Sequence, residues 1–318
     1  MLPHGRERLM LEVKNIKKCF KLRSKQLLWA VNGVSFNLQN DDVLGVVGES
    51  GCGKSTLGRL ILRLIEPSGG QIFFNGEEIT AVSRRNMRTR RKTMQMVFQN
   101  PFASFNPKIR IGTALMEVCR YYGLSESESH EKIEQHLTDT GLSNDLLSRW
   151  PRELSGGQLQ RLAITRAILS EPSLLVADEP LASLDVSVQA QLLNLFGDLR
   201  KKREMMMIFI SHDMNVVEYF CDKAAVMYMG SVMELIPASS LAVNAMHPYT
   251  RTLRASAPRL DVFKDSQIEE SKAQDLSRIY TDGCPFALRC SEAKPQCTEA
   301  MPELREVSDA HWVRCFNR

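Results

Sequence analysis

Apolar and polar positions change period several times along the chain, and each change marks an element. Leu11 and Val13, then Val34, Phe36 and Leu38, alternate with polar residues, the period of half-buried antiparallel strands. Val43, Leu44, Val46 and Val47 instead form a short apolar run, as expected of a strand buried on both faces of a parallel sheet. Leu57, Leu60, Ile61, Leu64 and Ile65 then recur at helical spacing, which predicts a helix that runs until Pro67 and Gly69-Gly70 stop it. Ile72 and Phe74 resume the alternation. Asn75-Gly76 suits a turn with φ > 0 at both positions, so a hairpin to Ile79 is predicted, followed by a strand at Met94, Met96 and Phe98.

From Asn100 to Glu153 the sheet pattern breaks at Pro101 and Pro107 and helical stretches take over, as in an inserted helical subdomain. Ser125 and Glu128 match a capping box for a polar helix through Leu137, with Gly141 ending it. Strands are then predicted at Leu174 to Ala177, Met205 to Ile210 and Ala224 to Met229. Between the first two, Val188, Leu192, Leu195, Phe196 and Leu199 give a helix one buried face. Strands alternating with helices imply a parallel sheet.

A chain of 318 residues that is 43% hydrophobic can build one large domain and a smaller one. No apolar run approaches the roughly 18 residues that span a bilayer. The stretch from Met1 to Met10 is too charged for a secretory signal, so a cytosolic location is expected. A net charge of +4 does not by itself imply nucleic acid. The local density of Arg84, Arg85, Arg88, Arg90, Arg91 and Lys92 reads as a solvated face or, alternatively, a phosphate or lipid-headgroup contact.

Candidate chemistry begins after the buried strand. Gly48-Glu49-Ser50-Gly51-Cys52-Gly53-Lys54-Ser55 satisfies G-x-x-x-x-G-K-[ST] between a strand and a helix, the context that makes a phosphate-binding loop. Glycines let successive N–H groups and the helix N-terminus converge on one anion. Lys54 would reach the β- and γ-phosphates, Ser55 would hold Mg²⁺, and Thr56 opens the helix. Leu174 to Ala177 ends in Asp178-Glu179, two carboxylates at a strand's carboxyl end. Asp178 suits Mg²⁺ through water, and Glu179 suits a general base on the attacking water. Leu154-Ser155-Gly156-Gly157-Gln158 is a second glycine-bearing turn into a helix, and so a second helix N-terminus suited to phosphate. Phe20 is an aromatic that either stacks on a base or packs.

With these motifs in order, and with Val97-Phe98-Gln99-Asn100-Pro101, Ser183-Leu184-Asp185 and Ile210-Ser211-His212-Asp213, the sequence resembles ATP-binding cassette (ABC) transporter ATPases. Within them it is similar to the second ATPase subunit of the dipeptide/oligopeptide importer group, which also includes nickel importers. The group is marked by Val47 to Thr56, Asp185-Val186-Ser187-Val188-Gln189-Ala190-Gln191, His247-Pro248-Tyr249-Thr250 and Cys284-Pro285-Phe286.

The resemblance implies an α/β P-loop NTPase fold of the ABC type, with an antiparallel β-subdomain, an inserted helical subdomain and a small cysteine-rich C-terminal region. The expected division is a nucleotide-binding domain over 1–245, its helical subdomain at about 100–165, and an extension over 246–318. It also implies a head-to-tail pair of cassettes, in which the P-loop of one and Leu154 to Gln158 with Asp185 of the other enclose each ATP. Gln99 would sense the γ-phosphate and join Ser55 and Asp178 at Mg²⁺, His212 would contact the γ-phosphate, and Phe20 would stack on adenine. Implied partners are a paralogous ATPase, two transmembrane permease subunits and an extracytoplasmic substrate-binding protein, with no nucleic acid. The chain would sit peripherally on the cytoplasmic face of the inner membrane. The implied function is ATP hydrolysis that energises import of di- or oligopeptides. The alternatives are nickel or another metal chelate, or a non-transport cassette acting on nucleic acid or ribosomes. Intact Lys54, Asp178, Glu179 and His212 argue against a non-hydrolysing subunit. Two departures stand out: Ala182-Ser183-Leu184-Asp185 where relatives read Ser-Ala-Leu-Asp, and Asp275 to Tyr280 where relatives are proline-rich.

Of the eight cysteines, Cys284, Cys290, Cys297 and Cys315 cluster near the end, separated by five, six and seventeen residues. No tight zinc hairpin has this spacing. Four thiolates could ligate a [4Fe–4S] cluster, with which the group's C-terminal regions are associated; structural zinc and unligated thiols remain open.

Overall fold

The computed structural model describes residues 10–22, 25–182, 184–256 and 282–318. Ser183 and the stretch Asp275 to Tyr280, both singled out above, lie outside them. Two sheets organise the chain. The smaller is antiparallel, in the order β2-β1-β4-β5, built from β1 (Met10–Lys21), β2 (Leu27–Gln39), β4 (Gly69–Phe74) and β5 (Glu77–Glu78). Its first two strands are longer than the alternation of apolar residues suggests. Register shifts after Val13, Ile16 and Lys18, with Asn15 at φ 47°, bulge the ladder and interrupt the period of two. Asn75 and Gly76 both adopt positive φ, as the expected hairpin requires.

The larger sheet has the order β11-β12-β10-β9-β3-β8-β7-β6. Its parallel part comprises β3 (Val43–Val47), β6 (Met94–Val97), β7 (Leu174–Asp178), β8 (Met206–Ile210) and β9 (Lys223–Tyr228). Antiparallel β10 (Ser231–Pro237) and the hairpin β11 (Arg305–Ser308) and β12 (His311–Val313) extend one edge. Alternate residues of the central strands serve different cores: Leu174 and Val176 face the antiparallel sheet, whereas Leu175 and Ala177 face the layer holding Leu192 and Phe196. This two-sided burial is why these strands read as apolar runs.

Among the described residues there are nine α-helices, besides five short 3-10 turns: α1 (Lys54–Ile61), α2 (Arg84–Arg90), α3 (Ile111–Tyr121), α4 (Glu126–Asp139), α5 (Gly156–Ile168), α6 (Val186–Arg203), α7 (Met214–Phe220), α8 (Pro248–Ala255) and α9 (Pro295–Glu299). Helix α1 is shorter than its apolar spacing predicts. Arg63 turns left-handed at φ 49° and, buried, donates to the Thr80 carbonyl at 2.7 Å, so Leu64 is left exposed and the helix does not reach Pro67. Helices α3, α4 and α5 enclose their own core around Ile111, Leu115, Ile133, Leu137, Leu159 and Leu162. Helix α4 carries the expected Ser125–Glu128 capping box. Arg84 and Arg90 of α2 pair with Glu66 and Glu77 on an exposed face.

The C-terminal region shares the main sheet. Glu234 of β10, fully buried, accepts the amides of Met246 (2.7 Å) and His247 (3.1 Å) and pairs with His311 of β12 at 2.7 Å. A buried carboxylate with this many partners ties three segments together, and removing any one would strand its charge.

Candidate functional site

The parallel strands end on one side of the sheet, and the loops that leave those ends carry the candidate residues. After β3, Gly48 to Gly53 turn into α1. Gly53, at φ 111°, is the N-cap residue, and no side chain caps the helix. A Cβ on Gly53 would collide with the Ala30 carbonyl oxygen of β2, so the close approach requires glycine. The first-turn amides of α1 are thus left for an external anion. Lys54 is buried, its Nζ donating to the carbonyls of Gly48 (2.7 Å) and Glu49 (3.1 Å). Burial pushes the neighbouring Cys52 thiol above its ordinary value, which keeps it neutral beside the ammonium. Ser50 and Gly51 are exposed at the tip, and Thr56 is half-buried in the first turn.

The Ser55 hydroxyl donates to Asp178 Oδ1 at 2.8 Å. Asp178 is 1% exposed, and burial raises its pKa while the Ser55 hydrogen bond opposes the rise. A carboxylate so desolvated gains strongly from a nearby cation. Glu179 follows at φ 46°, a left-handed conformation rare for a side-chain-bearing residue, with its amide donating to the Ile210 carbonyl at 3.0 Å. Gln99 Nε2 donates to Glu179 Oε2 at 2.8 Å, and His212 Nδ1 stands 3.9 Å from the same oxygen. Residues after β3, β6, β7 and β8 therefore meet at one edge.

Leu154 to Gln158 and Asp185 gather elsewhere. Ser155 caps α5, its Oγ accepting the Gln158 amide at 3.2 Å while Gln158 Oε1 accepts the Ser155 amide at 3.0 Å. Gly156 lies against Leu184, just before α6, and Gly157 against Val188 in the first turn of α6. Asp185 caps α6, accepting from the Val188 amide at 2.9 Å, and the Ser187 hydroxyl bond holds its carboxyl below the usual range. Ser155 and Asp185 are exposed, whereas Leu154 is buried. Phe20, partly exposed near the end of β1, has Lys18 Nζ 5.0 Å from its ring centre.

Cys284, Cys290, Cys297 and Cys315 line one small cavity with His247, Phe286 and Phe316. Burial pushes the Cys284 thiol up to about 11 and raises Cys290 as well. Neither the expected [4Fe–4S] cluster nor its zinc alternative finds support in this arrangement: among the described residues no group of three or more His, Cys, Asp and Glu side chains could hold a metal ion. Sequence reasoning also missed two contacts on the P-loop. Arg289 Nη1 donates to the Glu49 carboxylate at 3.0 Å, and the Glu49 amide donates to Tyr249 Oη at 3.0 Å. Tyr249 stood in a group-specific motif and Arg289 next to Cys290, but separations of 200 and 240 residues leave no local signal of their target.

Fold and site define a P-loop NTPase cassette. The solved ATP-binding cassette MJ0796, bound to ADP and Pi, shares the fold: TM-score 0.66, 24% identity, over 72% of this chain and 98% of that one. The cbiO1 protein of Clostridium perfringens, part of the ABC transporter complex cbiONQ, superposes with TM-score 0.66 at 26% identity, over 74% of this chain and 90% of that one. The family described as ABC transporter matches residues 31–182, and that described as oligopeptide/dipeptide transporter, C-terminal region, matches residues 233–297. The oligopeptide transport ATP-binding protein AppF of Bacillus subtilis is 41% identical over 96% of both chains. Its counterpart OppF of Haemophilus influenzae is 38% identical over 99% of both. The chain belongs to the ABC transporter family, in the branch of ATP-binding proteins with the oligopeptide/dipeptide transporter C-terminal region, and is an ABC-type ATPase. ATP and Mg²⁺ fit the loop and the Ser55–Asp178 pair. Among the described residues no helix is long and apolar enough to cross a membrane.

Proposed function

We propose that the chain hydrolyses ATP to energise an importer of di- or oligopeptides. The observation that carries this reading is the meeting of Lys54, Ser55–Asp178 and Gln99–Glu179–His212 at the ends of adjacent parallel strands, in a chain whose close relatives are named for oligopeptide transport. In this reading Gly48 to Thr56 cradle the triphosphate, Ser55 and Asp178 hold Mg²⁺ with Gln99 beside it, Glu179 takes a proton from the attacking water, and His212 steadies the γ-phosphate. Phe20 stacks on adenine. Leu154 to Gln158 with Asp185 serve the nucleotide of a second, paralogous cassette. The nucleotide-binding domain spans 1–245, with the helical subdomain at about 100–165 and the extension at 246–318.

The proposed partners are that cassette, two permease subunits and an external binding protein, with the assembly at the cytoplasmic face of the cell membrane. An open groove between β6 and the helical subdomain, lined by Gln95, Phe105, Tyr121, Tyr122 and Arg166, supports docking of a permease segment. For the cysteines we retain a [4Fe–4S] cluster held by Cys284, Cys290, Cys297 and Cys315. What supports it is that the four thiols line one apolar cavity. Iron and acid-labile sulfide at about four each per chain, in protein purified without oxygen, are the expected analysis; zinc or neither would remove the cluster. The function is tested by reconstituted uptake with a panel of peptides and Ni²⁺ chelates. ATP-dependent accumulation of peptides is expected, and accumulation of the chelates alone would transfer the substrate to metals.

A further inference from the structure

The turn from Cys284 to Cys290 reaches the P-loop from the opposite end of the chain. It places Arg289 where Nη1 meets the Glu49 carboxylate at 3.0 Å and the Tyr228 hydroxyl at 3.3 Å. From α8, Tyr249 Oη accepts the Glu49 amide at 3.0 Å. The side chain and the backbone of one loop residue are thus both held by the C-terminal region. The grip has a firm base: the rings of Tyr228, Tyr249 and Phe286 pack at centroid distances of 4.6, 5.4 and 5.3 Å, and Tyr249 and Phe286 are almost fully buried. The Arg289 guanidinium lies 5.7 Å and 5.6 Å from the Tyr228 and Phe286 rings. On the loop side, the Glu49 carbonyl accepts Lys54 Nζ at 3.1 Å, so the same residue touches the lysine of the phosphate cradle.

We propose that the C-terminal region is a brace for the nucleotide loop in the same chain, with Arg289 and Tyr249 as positioning residues that set Glu49, and through its carbonyl Lys54, for triphosphate binding. This rests on the reading of Gly48 to Thr56 as the ATP site. A loop held in its binding shape loses less freedom when the ligand arrives, so the brace acts on affinity. Arg289 and Glu49 are each about 40% exposed, and solvent screening keeps the pair's share modest.

The test uses the purified full-length chain, a fluorescent ATP analogue with Mg²⁺, and thermal unfolding without nucleotide. Arg289→Ala and Glu49→Ala are each expected to raise Kd about three- to fivefold. The double variant should be no weaker than the worse single one, Arg289→Lys should recover most of the affinity, and the unfolding midpoint should stay within a degree or two of the parent. Tyr249→Phe keeps the packed ring and removes only the acceptor of the Glu49 amide; it should also weaken binding, and it keeps the idea testable if Arg289→Ala fails to fold. An unchanged Kd in all single variants, or additive losses in the double, overturns the brace. Lys54→Ala separates the two readings. If it raises Kd about thirtyfold or more while Arg289→Ala binds normally, only the brace fails; if it binds normally, the ATP site fails and the brace with it.

Discussion

Two helices in this molecule begin at glycine-bearing turns, and they begin differently. Helix α1 has Gly53 at its N-cap and no side-chain cap, whereas α5 has Ser155 and Gln158 in a reciprocal capping box. The first end leaves its amides for an outside anion and has Lys54, Ser55 and Asp178 beside it. The second satisfies part of its own N-terminus, and its glycines rest on Leu184 and Val188. A glycine turn into a helix is therefore not one kind of site. In the proposed function the uncapped end, with charge beside it, holds ATP within its own chain, and the capped, exposed end is assigned to ATP held by another cassette.

The largest effect that tests this contrast is on chemistry. Glu179→Gln should lower steady-state phosphate release by the assembled transporter about a hundredfold or more while leaving ATP affinity intact. Normal turnover in that variant would separate the Gln99–Glu179–His212 meeting point from hydrolysis and leave the α1 end a binding site only. The next effect is on binding. Lys54→Ala removes a buried ammonium that now relies on two loop carbonyls, and the analogue's Kd should rise about thirtyfold, the loss of a charge-assisted hydrogen-bond set. Retained affinity would mean that the uncapped end of α1 does not need its lysine, and the electrostatic half of the contrast would fall.

How much of this was legible depends on how local each signal is. The P-loop, Asp178-Glu179, Gln99 and His212 each sit in a short run whose strand ends in a fixed motif, so their convergence follows once the strands are parallel. Strands β3, β7 and β8 announced themselves because both faces are covered. The full lengths of β1 and β2 did not, because bulges break their period. Nor did the end of α1, where apolar spacing continues through Leu64 and Ile65 but Arg63 leaves the helical conformation to reach buried carbonyls. Strands β10 and β12 stayed hidden for another reason. Glu234 is a charged residue in a fully buried position, and only its distant partners His311, Met246 and His247 make that tenable. The grip of Arg289 and Tyr249 on Glu49 belongs to the same class, being a contact between segments with no pattern of its own.

The smallest expected effect is the most discriminating. Ser155→Ala deletes the Oγ that accepts the Gln158 amide, a loss of about 1 kcal/mol for an N-cap. Helix α5 should survive, because Leu159, Leu162, Ile164 and Ile168 remain buried on its inner faces. Its unfolding midpoint should therefore fall by only a few degrees. If the capped end serves a neighbour's nucleotide, the isolated variant should bind the ATP analogue with unchanged Kd, while hydrolysis in the two-cassette assembly drops several-fold. A weakened Kd in the isolated chain would mean that the two helix ends act on the same nucleotide within one chain, and the distinction between an end that holds and an end that contacts would be lost.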